Sequence, residues 1–294
     1  ALERYAGLTG RRAFLVRLAS VCSLPVFMAL GLGQVSILLL ALFTLVFFAV
    51  RAGKDGIAGV ALAFALIKPA YVVPFLIVLL VRHRWRVLAT FGVSTVFLAL
   101  AALTFCGLSI NFTYLRTLIT VNGWQGHSAG VVVRDVLVAP ATYAAQWNHS
   151  FAGFAQLLLP SFAALAASLG FTLIALLLLA HVAHAQAEVD IPLGMAAVLA
   201  LLISPHTLPY DLTILLLPVG IALRYRQGTS VRLNLLLIAT YLLILVGYRL
   251  AFVVPLQLSV LVMLALAVWL YLANNSQVSA SGAQNRRALT KTTT

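Results

Sequence analysis

Long apolar runs separated by short polar loops dominate this chain. The runs cover residues 13–30, 34–50, 57–81, 87–106, 161–180, 192–203, 211–223, 233–248 and 255–272. Each run is continuously apolar instead of alternating between apolar and polar positions, which predicts helices that cross a bilayer. We therefore predict an all-α, polytopic helical membrane protein. Its transmembrane domain covers residues 1–273 and contains about seven full spans, since each needs ~20 apolar residues.

The run at 57–81 is broken in its middle by Lys68 and Pro69. The loops on both sides of it are basic, and the positive-inside rule places both on the cytoplasmic side. One crossing cannot return to its own side, so we predict a hairpin of two short helices, 57–67 and 70–81, with Lys68-Pro69 at its tip. Such short or re-entrant helices are tolerated where they are buried in protein.

Composition agrees with a membrane protein. Apolar residues make up 63% of the 294 residues, charged residues 9%, and the mean hydropathy is +1.08. The net charge of +13 comes mostly from Lys and Arg in short loops beside the apolar runs, as expected for cytoplasmic loops. No basic stripe with interleaved aromatic residues is present, so nucleic acid is not a predicted partner. Residues 274–294 predict a disordered, basic cytoplasmic tail.

Lys68 requires a chemical explanation. A charged side chain in the middle of a span costs roughly 2.5–3.5 kcal/mol on insertion scales. We interpret Lys68 as a ligand of an anionic group such as a phosphate. The alternative is a structural pairing with Asp135, Asp211 or backbone carbonyls.

The segment 107–160 is long, polar and aromatic, and we predict that it lies outside the cytoplasm at the membrane interface, with 110–121 as an interfacial helix. Arg134 and Asp135 within it are either a surface ion pair or substrate contacts. Asn148-His149-Ser150 either binds a polar ligand or begins a helix with Ser150 as its cap.

The chain contains six acidic residues. Four of them, Glu3, Asp55, Glu188 and Asp190, fall in predicted cytoplasmic loops or at the amino terminus, where we expect solvated charges. Asp211 instead shares with His206 and Tyr210 an external turn that is held by two prolines. These groups can hydrogen-bond sugar hydroxyls or exchange a proton. Alternatively, Asp211 caps the helix that follows. His181 and His184 lack further ligands, so no metal site is predicted.

Three stretches together resemble a known family. They are Gly33-Gln34-Val35-Ser36 at the start of a helix, Gly59 to Pro69 followed by Arg84-Trp85-Arg86, and Asn148-His149-Ser150 with Ser204-Pro-His-Thr-Leu-Pro-Tyr-Asp211-Leu. Each stretch alone is a weak signal, but in this order and at this spacing the three together resemble the motifs of glycosyltransferase family 87. These are membrane enzymes of the GT-C type that use polyprenyl-phosphate sugars.

The resemblance implies transfer of a sugar, often mannose, from a polyprenyl-phosphate donor to a lipid or glycan acceptor on the extracytoplasmic face. It also implies inversion at the anomeric carbon. We predict no cofactor, and we predict a bacterial plasma membrane location, among membrane lipids, because the sequence carries no retention signal. On this interpretation Asp211 and His206 are the catalytic candidates. The substrate-binding candidates are Lys68, Gln34, Asn148, His149, Tyr210, Arg134 and Asp135.

The family also places a catalytic acid in its first external loop, and no acid lies in the Gly31-Leu32-Gly33 turn. We therefore expect this chain to begin beyond that loop, with Asp211 or Asp135 as a substitute otherwise. Two other classes stay open at this point. A transporter or lipid flippase also uses broken helices and a buried cation, and a non-catalytic membrane assembly subunit would lack the acid altogether.

Overall fold

A computed structural model describes residues 1–121, 131–133, 136–138, 145–185, 188–225, 235, 237–242, 250–251, 253–254 and 256–273. Nearly all of these residues are helical. The helices are α1 (Leu2–Tyr5), α2 (Gly10–Val21), α3 (Leu24–Gly31), α4 (Ser36–Arg51), α5 (Asp55–Phe64), α6 (Pro69–Val81), α7 (Trp85–Val121), α8 (Phe151–Leu158), α9 (Ser161–Ala185), α10 (Asp190–Ile203), α11 (Leu216–Arg224) and α12 (Leu258–Ala273). Short 3-10 turns cover Ala65–Ile67, Ala145–Trp147 and Pro209–Leu215, and two short strands, β1 (Val131–Val133) and β2 (Val136–Val138), pair antiparallel.

The predicted all-α membrane class is confirmed. By length and composition, the described residues hold two helices able to cross a membrane, Trp85–Tyr114 and Ser161–Ala185, or three if α2 and α3 form one span. α2 and α3 are bent by 49°. The break lies at Cys22 and Ser23, just before Pro25. A proline is tolerated in the first turn of a helix, where its missing N–H removes no helical hydrogen bond, so α3 begins next to Pro25.

α10 lies at the centre of the fold. Every residue from Asp190 to Leu202 is buried, which explains why its sequence is apolar all round. α4 buries one stripe at helical spacing, Leu39, Phe43, Val46, Phe47 and Val50. Phe43 stacks on Phe75 of α6 with ring centroids 4.4 Å apart. α4, α6 and α10 are about 20–24 Å long at 1.5 Å per residue, shorter than the ~30 Å hydrocarbon core of a bilayer.

The helix break at Lys68 is observed where the sequence predicted it. The 3-10 turn Ala65–Ile67 ends α5, Lys68 has a non-helical backbone (φ −127°, ψ 84°), and Pro69 begins α6. A residue that precedes proline is driven away from helical backbone angles. The break at Lys68 separates α5 from α6, and the hairpin of these two helices stays a prediction. The division of the chain into about seven spans and a tail stays a prediction, and residues 274–294 lie outside the described part of the chain.

The helices of the core connect two polar clusters. α4 begins at Ser36, which contacts Asp211, and ends at Arg51, which contacts Asp190. α10 begins at Asp190 and ends eight positions before Asp211. α6 begins beside Lys68 and is followed by Arg82, which donates to the backbone carbonyl of Ala183. We call the two ends of the fold the Asp211 end and the Asp190 end.

Candidate functional site

Asp211 lies in the 3-10 turn Pro209–Leu215 that follows α10. Leu208 is extended (φ −92°, ψ 161°) because Pro209 follows it, and this directs its N–H at the carboxylate of Asp211, with Leu208 N to Asp211 Oδ2 at 3.1 Å. The Asp211 residue is fully buried. The predicted capping role is thus partly correct, since the carboxylate accepts a backbone N–H, but Asp211 is the third residue of the turn and not the residue before it.

Two side chains from distant parts of the chain contact the other carboxylate oxygen. Lys68 Nζ donates to Asp211 Oδ1 at 2.5 Å, and Ser36 Oγ donates to the same oxygen at 2.6 Å. The helix break, the start of α4 and the 3-10 turn therefore meet at one carboxylate. A buried charge requires this kind of compensation by paired and hydrogen-bonded groups.

Two tyrosine rings surround the Lys68 ammonium. Its Nζ lies 5.3 Å from the ring centroids of both Tyr71 and Tyr210. The Lys68 side chain keeps 21% of its exposure, whereas that of Asp211 keeps none. An ammonium has three N–H donors, so after the bond to Asp211 it still has donors for an anion that approaches from the open side.

Asn148 joins the 145–150 segment to the loop that follows α10. Its Nδ2 donates to Pro205 O at 2.9 Å, and its Oδ1 accepts from Thr207 N at 2.9 Å and Ser150 N at 3.1 Å. Ser150 caps α8 by accepting from Gly153 N at 3.3 Å. These contacts fit the capping interpretation of this segment, and they hold the 204–208 loop in position.

Two histidines lie close to this site. His149 is fully buried, and its Nδ1 lies 2.6 Å from Ser259 Oγ of α12. Burial lowers the pKa of His149 to about 4, against an opposing effect of Asp211. Burial also lowers the pKa of His206, the Lys68 ammonium lowers it further, and Asp211 opposes both. Both imidazoles are therefore neutral at pH 7, and a neutral imidazole can accept a proton.

The structure brings most of the predicted site residues to one end of the fold. Gln34 is half-buried in the turn before α4, two positions from Ser36, which makes the contact to Asp211. Arg134 and Asp135 lie outside the described residues. Sequence reasoning missed Ser36, Tyr71, Thr207 and Ser259. The first three are within or beside the motif stretches, but nothing in the local sequence distinguishes Ser259.

The expectation of a solvated Asp190 is wrong. Asp190 is 2% exposed and its Oδ2 accepts from the Tyr5 hydroxyl, from the Tyr225 hydroxyl at 3.1 Å and from the Arg51 guanidinium. These donors come from α1, α4 and the end of α11, which only the tertiary structure brings together. Of the other acids placed in loops, Glu3 pairs with Arg17 at 2.6 Å and Asp55 with Arg84 at 3.5 Å.

Comparison with known proteins identifies the family of this chain. The family model described as glycosyltransferase family 87 matches residues 2–205. No curated protein and no solved structure matches the chain. Within the described residues, no group of three or more His, Cys, Asp or Glu side chains is placed to hold a metal ion.

Proposed function

Because the chain belongs to glycosyltransferase family 87, and is thus a membrane glycosyltransferase, we propose that it moves a hexose from a polyprenyl-phosphate donor to a lipid or glycan acceptor. The observation that supports this donor is the Lys68 ammonium. It is fixed by Asp211 at a helix break, flanked by two tyrosine rings, and still partly open. A fixed, partly exposed cation with spare N–H donors suits a phosphate that gains charge as the sugar leaves.

Lys68 and Asp211 have different roles in this proposal. Lys68 donates to the donor phosphate, and Asp211 orients Lys68. Asp211 is not suited to take a proton itself, because its carboxylate is fully buried and already accepts three hydrogen bonds. His206 is the better candidate for the proton acceptor, since its pKa is lowered and it lies in the loop beside the Lys68–Asp211 pair.

The proposed step is a single displacement. An acceptor hydroxyl attacks the anomeric carbon, the bond from that carbon to the phosphate oxygen breaks, and the polyprenyl phosphate leaves with the bonding electrons. The hydroxyl proton passes to His206. Mannose is the proposed sugar. Gln34, Asn148, His149, Tyr210, Arg134 and Asp135 stay proposed substrate-binding residues, with Asn148 acting through the loop that it holds.

We propose that the Asp211 end faces away from the cytoplasm in a bacterial inner membrane. Four arginines lie at or beside the Asp190 end. Arg51 contacts Asp190, Arg82 contacts Ala183, Arg84 contacts Asp55 and Arg224 contacts Tyr5. Cytoplasmic loops retain positive charge in this way during insertion. Cysteine labelling at 32 and 53 with a membrane-impermeant reagent tests the orientation: position 32 should react from outside and position 53 should not.

The activity test is transfer from radiolabelled polyprenyl-phosphate-mannose in membranes that contain the full natural protein. Lys68→Gln should raise the KM for the donor about tenfold to a hundredfold, the worth of one charge-assisted hydrogen bond, while Lys68→Arg should retain most activity. Arg12→Gln, which removes an exposed charge elsewhere, is the matched control. His206→Gln should lower kcat and leave the donor KM unchanged.

Two outcomes would contradict the proposal. If wild type transfers no sugar from mannosyl or arabinosyl donors but moves labelled lipid across the bilayer, the protein is a flippase. If it does neither, and transfer appears only with a second membrane protein that carries the catalytic groups, it is an assembly subunit.

A further inference from the structure

A second candidate binding site lies near the Asp190 end, away from the Lys68 site. A cavity of about 590 Å³ is lined by the loop that precedes α5 and by the first turns of α7, including Lys54 and Arg86. A second cavity of about 560 Å³ lies between α4 and α5. The two cavities share Gly56 and Ile57 in their walls, so they are adjacent at the start of α5, and we call the pair the groove.

The groove has chemically different ends. The α4–α5 part is lined by Leu42, Leu45, Val60 and Phe64 and is almost entirely apolar. It follows α5 for about 10 Å, seven residues at 1.5 Å each. The other part carries the side chains of Lys54 and Arg86, and neither is in an ion pair within the described part of the chain.

The charges around the basic part favour an anion. Asp55 also lines it, but this carboxylate lies 3.5 Å from the Arg84 guanidinium, which offsets its charge. Lys54 and Arg86 thus line the cavity as two cations without an ion pair in the described part of the chain, and the charge of the one carboxylate there, Asp55, is offset by Arg84. No heavy atom lies within 4 Å of the position that a Cβ would occupy on Gly53, so the loop leaves open space beside Lys54.

The position of Trp85 relates this groove to the bilayer. Trp85 begins α7 and is 58% exposed. Trp side chains of this kind occur where the hydrocarbon meets the headgroups. The apolar span Trp85–Tyr114 starts at the same residue, and α5 runs beside it, with Gly59 against Val87 and Thr90. The basic part of the groove is therefore at headgroup level, and the apolar part extends into the hydrocarbon.

We infer that this groove binds one anionic phospholipid of the leaflet at the Asp190 end. Its phosphodiester lies between Lys54 and Arg86, and one acyl chain fills the space between α4 and α5. The inference is independent of the proposed sugar transfer, since none of its residues belongs to the Lys68 site. The occupant is a lipid and not free phosphate, because only a lipid fills both parts of the groove.

The test compares spin-labelled phosphatidylglycerol with spin-labelled phosphatidylcholine in phosphatidylcholine bilayers that contain the full chain at low salt. Electron paramagnetic resonance gives the ratio of their association constants. Wild type should prefer phosphatidylglycerol, and each of Lys54→Gln and Arg86→Gln should lower the preference about fivefold, the equivalent of one interfacial cation. The double variant Arg11→Gln/Arg12→Gln removes two exposed charges elsewhere and should not change it.

Filling the groove tests the acyl chain separately. Val60→Trp should lower the association of phosphatidylglycerol, whereas Val93→Trp, on the exposed face of α7, should not. Four results would overturn the inference: equal association of both lipids with wild type, an equal loss in the Arg11/Arg12 double variant, no effect of Val60→Trp, or full displacement of the labelled lipid by soluble glycerophosphate. The last would indicate a phosphate site without a lipid chain.

Discussion

The Lys68–Asp211 pair offers the most informative perturbation of stability, because its two partners are buried to different extents. Removing one partner of a buried ion pair costs about 3–5 kcal/mol, since the other charge is left uncompensated. Asp211 is fully buried, whereas the Lys68 side chain keeps 21% of its exposure. The two single variants should therefore not be equivalent.

Lys68→Met leaves a buried carboxylate that keeps the hydrogen bonds from Ser36 Oγ and the Leu208 N–H but has lost its cation. We expect it to lower the free energy of unfolding by about 3–5 kcal/mol. Asp211→Asn leaves the Lys68 ammonium without its carboxylate, but this ammonium can regain water through its open side. The amide oxygen of the new asparagine can still accept the hydrogen bond from Leu208 N. We expect a smaller loss of about 1–3 kcal/mol. The double variant removes both charges and should be more stable than Lys68→Met alone.

The assay is a double-mutant cycle on the free energy of unfolding in mild detergent, followed by loss of helical circular dichroism. Arg84→Met is the matched control, because the Arg84 side chain is 34% exposed and its 3.5 Å pair with Asp55 should contribute only about 0–1 kcal/mol. Additive losses in the cycle, or a larger loss for Asp211→Asn than for Lys68→Met, would refute the proposed geometry of the pair.

Three further predictions follow from particular contacts. His149 is neutral when folded, with a pKa of about 4 against 6.5 when unfolded, so stability should fall by up to about 3 kcal/mol as pH decreases from 6.5 to 4. Thermal unfolding against pH measures this, and His149→Gln, unlike His181→Gln, should flatten the curve. Gly59→Ala places a Cβ 2.6 Å from Val87 O and should cost about 1–3 kcal/mol by forcing α5 from α7; Gly56→Ala, in open space, should not destabilise. Asn148→Ala removes two hydrogen bonds to the 204–208 loop, those with Pro205 O and Thr207 N, so proteolysis within that loop should accelerate, and an unchanged rate would contradict its anchoring role.

Much of the fold follows from local sequence. Continuous apolar runs predict helices, because a helix satisfies its backbone hydrogen bonds within its own segment in a bilayer. The break at Lys68 follows from Pro69, and the cap of α8 follows from Ser150. The motif stretches around Ser36, Lys68, Asn148 and Asp211 are also local, and they were sufficient to identify the family.

Only the tertiary structure decided which of these groups meet. Asp190 was predicted to be a solvated loop charge and Asp211 to lie in an external turn. Both are buried, because donors distant in the sequence converge on each carboxylate. The pairing of Lys68 with Asp211 was one of several alternatives until the tertiary structure brought the helix break and the 3-10 turn together. Periodicity and turn chemistry act over a few residues, whereas the compensation of a buried charge depends on which helices are neighbours. The sequence therefore determined the helices and the family, and the packing around α10 determined the site.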